Sequence, residues 1–364
     1  MRFGNLENPI SIDGTWKTIF DSNELAAAAT SITISGLNGD VDEEYELIVR
    51  LIGGQASGVA RARIQFNADT GANYGEQDIS GSSSTAAASR GTGLTIIDQC
   101  AADAANKLGF SITKIKAKSG QIRTTITKYV GSISGTTVNN VQLQGGVWNN
   151  SVDNLTSILL GEGEANSFGI GSRVILLKKV TETAGMKTGE LDILGSVYGT
   201  WQEVYSTTLT EAATSLTVSG LTGNTDVLYR VRARVVNGAA ADTTYLWRFN
   251  NDSGSTSGIQ YIRGVNTAVS AARGATTQFS FAGADGGLGS IGQTEVLIYA
   301  KSGFVRTAIQ TRTDSILTTT VGVVYLQGLS WNNTSDELTS LVLYADQANG
   351  WGVGSSLVVE RLNL

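Results

Sequence analysis

The 364-residue chain has no histidine, one cysteine (Cys100), one proline and two methionines. Each scarcity excludes some chemistry. Without histidine there is no Ser-His-Asp or Cys-His catalytic arrangement, no His-ligated zinc and no imidazole proton shuttle. A lone cysteine rules out an intramolecular disulfide, a thiolate zinc cluster and an iron–sulfur centre. Charged residues make up only 16%, well below the usual quarter. They sum to −6, with a pI near 4.9, so a nucleic-acid backbone is an unfavourable partner for the surface as a whole. No apolar run approaches a membrane span, and the start, MRFGNLENPISIDG, lacks the apolar stretch of a signal peptide. The expectation is a soluble chain made in a cytoplasm, with neither membrane nor nucleic acid among its partners. What is abundant is glycine, 44 residues of it, beside an apolar fraction of 41%. That is enough for real cores, in a composition that favours strands and tight turns.

The chain is written twice. Thr15-Trp16 recurs as Thr200-Trp201, and SITISGLNGD (31–40) as SLTVSGLTGN (215–224). RIQFNADTG (63–71) answers LWRFNNDSG (246–254), and LQGGVWNN (143–150) answers LQGLSWNN (326–333). Phe168-Gly169-Ile170-Gly171-Ser172 returns as Trp351-Gly352-Val353-Gly354-Ser355, and the offset drifts only from 185 to 183. Such spacing means tandem domains of about 165 residues, not a solenoid of short repeats. The first domain is expected over 1–180, a polar linker over 181–190 and the second domain over 191–364.

Within each copy the periodicity is that of strands: short β-branched runs bounded by Gly, Asn, Asp or Ser. Eight runs stand out in the first copy: 31–35, 45–51, 61–66, 111–117, 121–129, 141–143, 156–160 and 173–179. In the second, Tyr229–Val236 alternates Val231, Ala233 and Val235 against Arg230, Arg232 and Arg234. The fold class expected is all-β, two tandem homologous jelly-roll-like antiparallel β-sandwiches. IIDQCAADAANKL (96–108) tempts a helix assignment, but its counterpart SFAGADGGLGSIG (280–292) carries five glycines. The expectation there is a loop or one irregular turn, and very little helix anywhere.

The recurring acids are Asp42/Asp226, Asp69/Asp252 and Asp153/Asp336, all in turns between strands. Oxygen-rich loops such as 67–71 and 250–254 can hold calcium. Asn and Asp before Gly are also what a β-turn requires, and turn chemistry is the stronger reading. Paired carboxylates could hydrolyse a glycosidic bond without histidine, yet acids kept wherever the turns are kept suit architecture better. Trp148 and Trp331, each before Asn-Asn, and the Phe168/Trp351 pair could stack on a sugar or anchor a core. Arg90/Arg273, Lys118/Lys301 and Arg123/Arg306 either meet an acidic neighbour subunit or pair with the aspartates inside each domain. Cys100 aligns with Gly283, so nothing in the repeat requires a thiol. No catalytic, cofactor-binding or metal-binding residue is assigned, and no cofactor is expected.

Gly36, Leu37, Gly39, Asp42 and Tyr45, with Trp148, Asp153, Leu155, Thr156, Ser157, Phe168, Gly171 and Ser172, form a pattern that recurs in the second copy. There it is Gly220, Leu221, Gly223, Asp226 and Tyr229, with Trp331, Asp336, Leu338, Thr339, Ser340, Trp351, Gly354 and Ser355. This resembles a jelly-roll module of tailed-bacteriophage virion proteins. The resemblance implies a non-enzymatic particle component, most simply a capsid decoration or other surface protein. Its partners would be copies of itself and a capsid or tail protein, and its place the virion, after synthesis in the host cytoplasm. Two alternatives stay open: a receptor- or glycan-binding module that takes a host-surface glycan, and a double jelly-roll major capsid protein.

Overall fold

The computed structural model describes residues 16–55, 58–161, 164–180, 201–265, 267–284, 287–317 and 320–364. The expected linker at 181–190 lies outside the described residues. In the first copy the strands are β1 (Trp16–Asp21), β2 (Ser31–Ser35), β3 (Glu44–Ile52), β4 (Ala60–Phe66), β5 (Tyr74–Ser82) and β6 (Thr85–Leu94). There follow β7 (Ile97–Ala102), β8 (Leu108–Lys116), β9 (Arg123–Ile133), β10 (Asn140–Trp148), β11 (Ser157–Gly161) and β12 (Arg173–Lys179). The second copy opens with β13 (Trp201–Thr208), β14 (Ser215–Ser219), β15 (Leu228–Val236), β16 (Thr243–Phe249), β17 (Ser257–Val265) and β18 (Ala268–Thr276). It closes with β19 (Phe279–Ala284), β20 (Ile291–Tyr299), β21 (Arg306–Leu317), β22 (Thr320–Trp331), β23 (Ser340–Ala345) and β24 (Ser356–Leu362). The helices among the described residues are single turns, α1 (Gly39–Asp42) and α2 (Gly223–Asp226).

Strand pairing is the same in both copies. An eight-stranded sheet runs β1-β12-β3-β8-β9-β10-β5-β6, and a four-stranded sheet runs β2-β11-β4-β7. Adding twelve to each label gives the order in the second copy. The chain crosses between the sheets at every step except β5/β6, β8/β9 and β9/β10, which is jelly-roll winding. Two hairpins, β5–β6 and β9–β10, join the larger sheet beyond β8. The alternation that builds each core is plain in β4, where Ala60, Ala62, Ile64 and Phe66 point inward and Arg61, Arg63 and Gln65 outward.

Eight strands per copy were expected and twelve are present. The eight runs read from sequence correspond to β2, β3, β4, β8, β9, β10, β11 and β12; β1, β5, β6 and β7 went unread. The loop expected at 96–108 is corrected by the structure: Ile97–Ala102 is β7, paired with β4. Phe279–Ala284 is likewise β19, paired with β16. Glycine in the second copy argues against a helix, but not against a strand whose backbone still makes its ladder bonds. The register shifts at Ala62/Arg63 and at Tyr245/Leu246. That bulge puts two consecutive residues, Gln99 and Cys100, inside and hides the period of two.

A third apolar cluster joins the copies. Each copy fills the space between its own two sheets. The outer faces of the two eight-stranded sheets then pack on each other through Ile48, Phe110, Val130, Ile175 and Leu177 against Leu228, Leu297, Tyr299 and Ile309. The result is four layers, four, eight, eight and four strands deep. Strands meet their own counterparts: β5 lies against β17, β9 against β21 and β10 against β22. Lys128 and Thr311 occupy equivalent positions, and Lys128 Nζ lies 3.4 Å from Thr311 Oγ1. Self-pairing of this kind marks an approximate two-fold between the copies.

Candidate functional site

The residues singled out by repetition form an internal frame. Trp148 and Trp331 are 0% and 1% exposed, so neither ring offers a face to a sugar. Each indole Nε1 donates to an aspartate Oδ2 at 2.8 Å, Trp148 to Asp69 and Trp331 to Asp252. Arg123 lies 5.1 Å from the Trp148 ring centroid, and Arg306 lies 5.0 Å from that of Trp331. Both guanidinium groups are buried. Phe168 and Trp351 are buried too, bridging to Ala29 and Gly53 and to Ala213 and Asn237.

The aspartates are anchors for turns. Asp69 Oδ1 accepts Gly71 N at 2.8 Å, and Asp252 Oδ1 accepts Gly254 N at the same distance. The indole hydrogen bond from Trp148, helped by Asn73 and Gly71, outweighs burial and holds the Asp69 carboxyl below its ordinary value. At Asp252 burial pulls upward, but donors from Trp331, Thr256 and Gly254 win and the pKa is again low. Asp42 accepts Tyr45 Oη at 2.8 Å and Lys178 Nζ at 2.8 Å, while Asp226 accepts Tyr229 Oη at 2.5 Å and Arg361 Nη1 at 3.0 Å. Asp153 and Asp336 close Asx turns with Asn150 and Asn333. No cluster of three or more metal-ligating side chains occurs among the described residues.

One pair of framework residues escaped the sequence reading. Asn67 and Asn250 sit at φ 52° and 49°, a conformation asparagine tolerates. Their side chains reach across to the start of the next sheet neighbour. Asn67 Oδ1 accepts Thr156 N at 2.8 Å and Ser157 N at 3.1 Å; Asn250 does the same with Thr339 N at 2.9 Å and Ser340 N at 3.1 Å. The signal was present, since Asn precedes each repeated Asp by two residues and Thr-Ser recurs beside it.

The recurring cations divide. Lys118 pairs with Glu43 inside its own copy, whereas Lys301 reaches Glu24 of the first copy at 2.9 Å. Arg273 donates to Asn139 across the copies at 2.5 Å, and Arg90 is exposed on β6. Cys100 is enclosed, and burial pushes its thiol up to about 12, so it is inert at neutral pH. Among the described residues no helix is long and apolar enough to cross a membrane.

Among the described residues a groove of about 860 Å³ lies between the two large sheets. It lies across the approximate two-fold from the apolar contact. Its origin is legible in the repeat. Ile48, Phe110, Val130 and Leu177, which close one side, have Arg232, Gln293, Thr313 and Glu360 as counterparts. Leu228, Leu297 and Tyr299 have Glu44, Lys114 and Lys116. Charged and polar side chains cannot close as a dry core, and of these counterparts Arg232, Gln293 and Thr313 line the groove. Arg232, Arg234, Arg263 and Arg312 line the second copy's wall with Tyr325, and Ile79 and Leu143 belong to the first copy.

Fold and frame together define a tandem jelly-roll protein whose repeated residues serve the scaffold. No protein family matches the chain, and no curated protein does. Among solved structures, domains LG4-5 of the mouse laminin α1 chain are 8% identical, covering 96% of this chain and 90% of that one, with a TM-score of 0.19. The LG1-3 region of the laminin α2 chain is 8% identical over 92% of this chain and 64% of its own, with a TM-score of 0.21. A fructofuranosidase from Schwanniomyces occidentalis is 8% identical over 72% and 58%, also with a TM-score of 0.21. At such TM-scores none of them assigns this chain a family or an activity.

Proposed function

We propose that the chain is a non-enzymatic structural component of a bacteriophage particle, a capsid decoration or other surface protein, made in the host cytoplasm and carried on the virion. The observation that carries this reading is the doubled module signature. Both copies keep the Gly-Leu-x-Gly-x-x-Asp opening and the Trp-x-x-x-x-Asp-x-Leu-Thr-Ser close, and in both the tryptophan of the close and the aspartate of the opening make the same side-chain bonds. What has been duplicated is a scaffold. Glycosidic hydrolysis by two acids needs one carboxyl with a raised pKa facing a groove. The repeated aspartates instead accept from turn amides and from framework donors on other strands, and Asp69 and Asp252 lie on the low side. Two fused copies give a neighbour array two similar surfaces to meet, with the gain in effective concentration that tethering brings.

Mass spectrometry of particles purified from a culture that makes this chain tests the proposal. A fixed copy number per particle, retained through density-gradient purification, is the expected result. A chain found in infected-cell lysate and absent from purified particles overturns it.

A further inference from the structure

We infer that the groove between the two large sheets is a docking site for an extended, acidic segment of another protein whose carboxylates alternate with aliphatic side chains. The charge is the first argument. The chain carries a net −6, yet the groove is lined by four arginines and a single acid, Glu295. Lys128 already faces Glu295, at 3.5 Å. Arg232 is paired with Glu360 at 3.0 Å, and Arg312 with Asp314 at 3.4 Å. Arg234 and Arg263 are held differently. Arg234 donates to the Gly354 carbonyl at 3.1 Å. Arg263 donates to Ser270 Oγ at 3.1 Å and to Tyr325 Oη at 3.2 Å. Neutral oxygens position these two guanidinium groups without cancelling their charge, which leaves both able to take a carboxylate in a charge-assisted, fork-like pair.

Apolar surface on both walls is the second argument. Ile79 and Leu143 on the first copy, with Val269 and Val324 on the second, are all exposed large aliphatics. Arginine is enriched at protein interfaces, and exposed aliphatic side chains beside it give a partner apolar area to bury. An extended chain presents like side chains every second residue, about 6.6 Å apart, so carboxylates and aliphatics on alternate positions fit a groove with two kinds of wall. Single-stranded nucleic acid fits less well, because it needs open aromatic faces. Here Tyr325 is covered by Arg312 at 3.9 Å and packs edge-on against Tyr261 at 5.6 Å. This proposal is independent of the particle reading and names no particular partner.

The test is calorimetric titration of the full chain with a synthetic peptide of alternating glutamate and valine, about ten residues long. A lysine–valine peptide, a sulfated oligosaccharide and an oligothymidylate serve as the other ligands. The glutamate–valine peptide is expected to bind saturably, more weakly as salt rises. Arg234→Ala and Arg263→Ala are each expected to lower its affinity about tenfold, and Val324→Asp to lower it as well. Arg90→Ala, outside the groove, leaves binding unchanged, and near-ultraviolet circular dichroism verifies the fold of each variant. Absence of saturable binding by the acidic peptide overturns the inference. So does equal binding by all variants, or binding of the oligonucleotide or sulfated sugar in its place.

Discussion

At the scale of single residues, the account rests on buried donors meeting carboxylates. Trp148→Phe keeps the aromatic volume and deletes the 2.8 Å bond to Asp69. The expected cost is about 1–2 kcal/mol in denaturant unfolding, and Trp331→Phe should match it through Asp252. The pH dependence has a definite sign. Both carboxyls lie below their ordinary value in the folded chain. Their contribution is therefore complete above the unfolded aspartate range and lost as pH falls through the folded values. Each Phe variant should accordingly show a shallower acid transition than the parent, and an unchanged one would refute the anchoring role. A second prediction comes from comparing the copies. Ala68 sits at φ 51° where the other copy has Asn251 at φ 54°. Alanine is strained there and asparagine much less so. Ala68→Asn should raise stability by about 0.5–1 kcal/mol, seen as a higher melting temperature. At this scale the turn role of the aspartates could be read from Asn-x-Asp-x-Gly alone. The Trp–Asp bond could not, because 79 residues separate its partners.

At the scale of elements, legibility followed burial pattern. Strands with one clean apolar face, such as β4 and β15, announce themselves by alternation. β6 does not, because nearly all of it is exposed and its Ala, Ser, Thr and Gly carry no hydrophobic period. β7 is hidden by its bulge. β3 gives a third kind of signal, since Tyr45–Ile52 is buried on both faces. A strand in a sheet open to water on one side would alternate. The run Leu47-Ile48-Val49 already indicated that something covers the second face, without saying what. Hydrogen exchange should rank these elements. Amides of β3, inside its sheet and covered on both sides, are expected to exchange with the free energy of global unfolding, and those of the edge strands β6 and β18 much faster. Comparable exchange at the centre and at the edge would contradict the four-layer arrangement.

At the scale of the whole molecule, duplication fixed the topology twice, and divergence decided how the copies meet. One half of each large outer face became apolar and the facing half of its partner did likewise; the remaining halves acquired Arg232, Glu360, Lys114 and Lys116. Phe110→Ala, in the closed contact, should cost about 3–5 kcal/mol. Ile126→Ser, at the exposed counterpart of Ile309, should stay within about 0.5 kcal/mol. Equal effects would mean the contact does not form. Two superposable jelly rolls were legible from register alone, because every motif returns at nearly one spacing. The groove was not, because it depends on which faces part, and that is set by side chains distant in sequence. Cryo-microscopy of intact particles bears most directly on the central claim, that this scaffold is a particle component. The account predicts the four-layer unit, in repeated and fixed positions on the outer surface. Particles whose resolved surface contains no such unit, in preparations where the chain is abundant outside them, would contradict it.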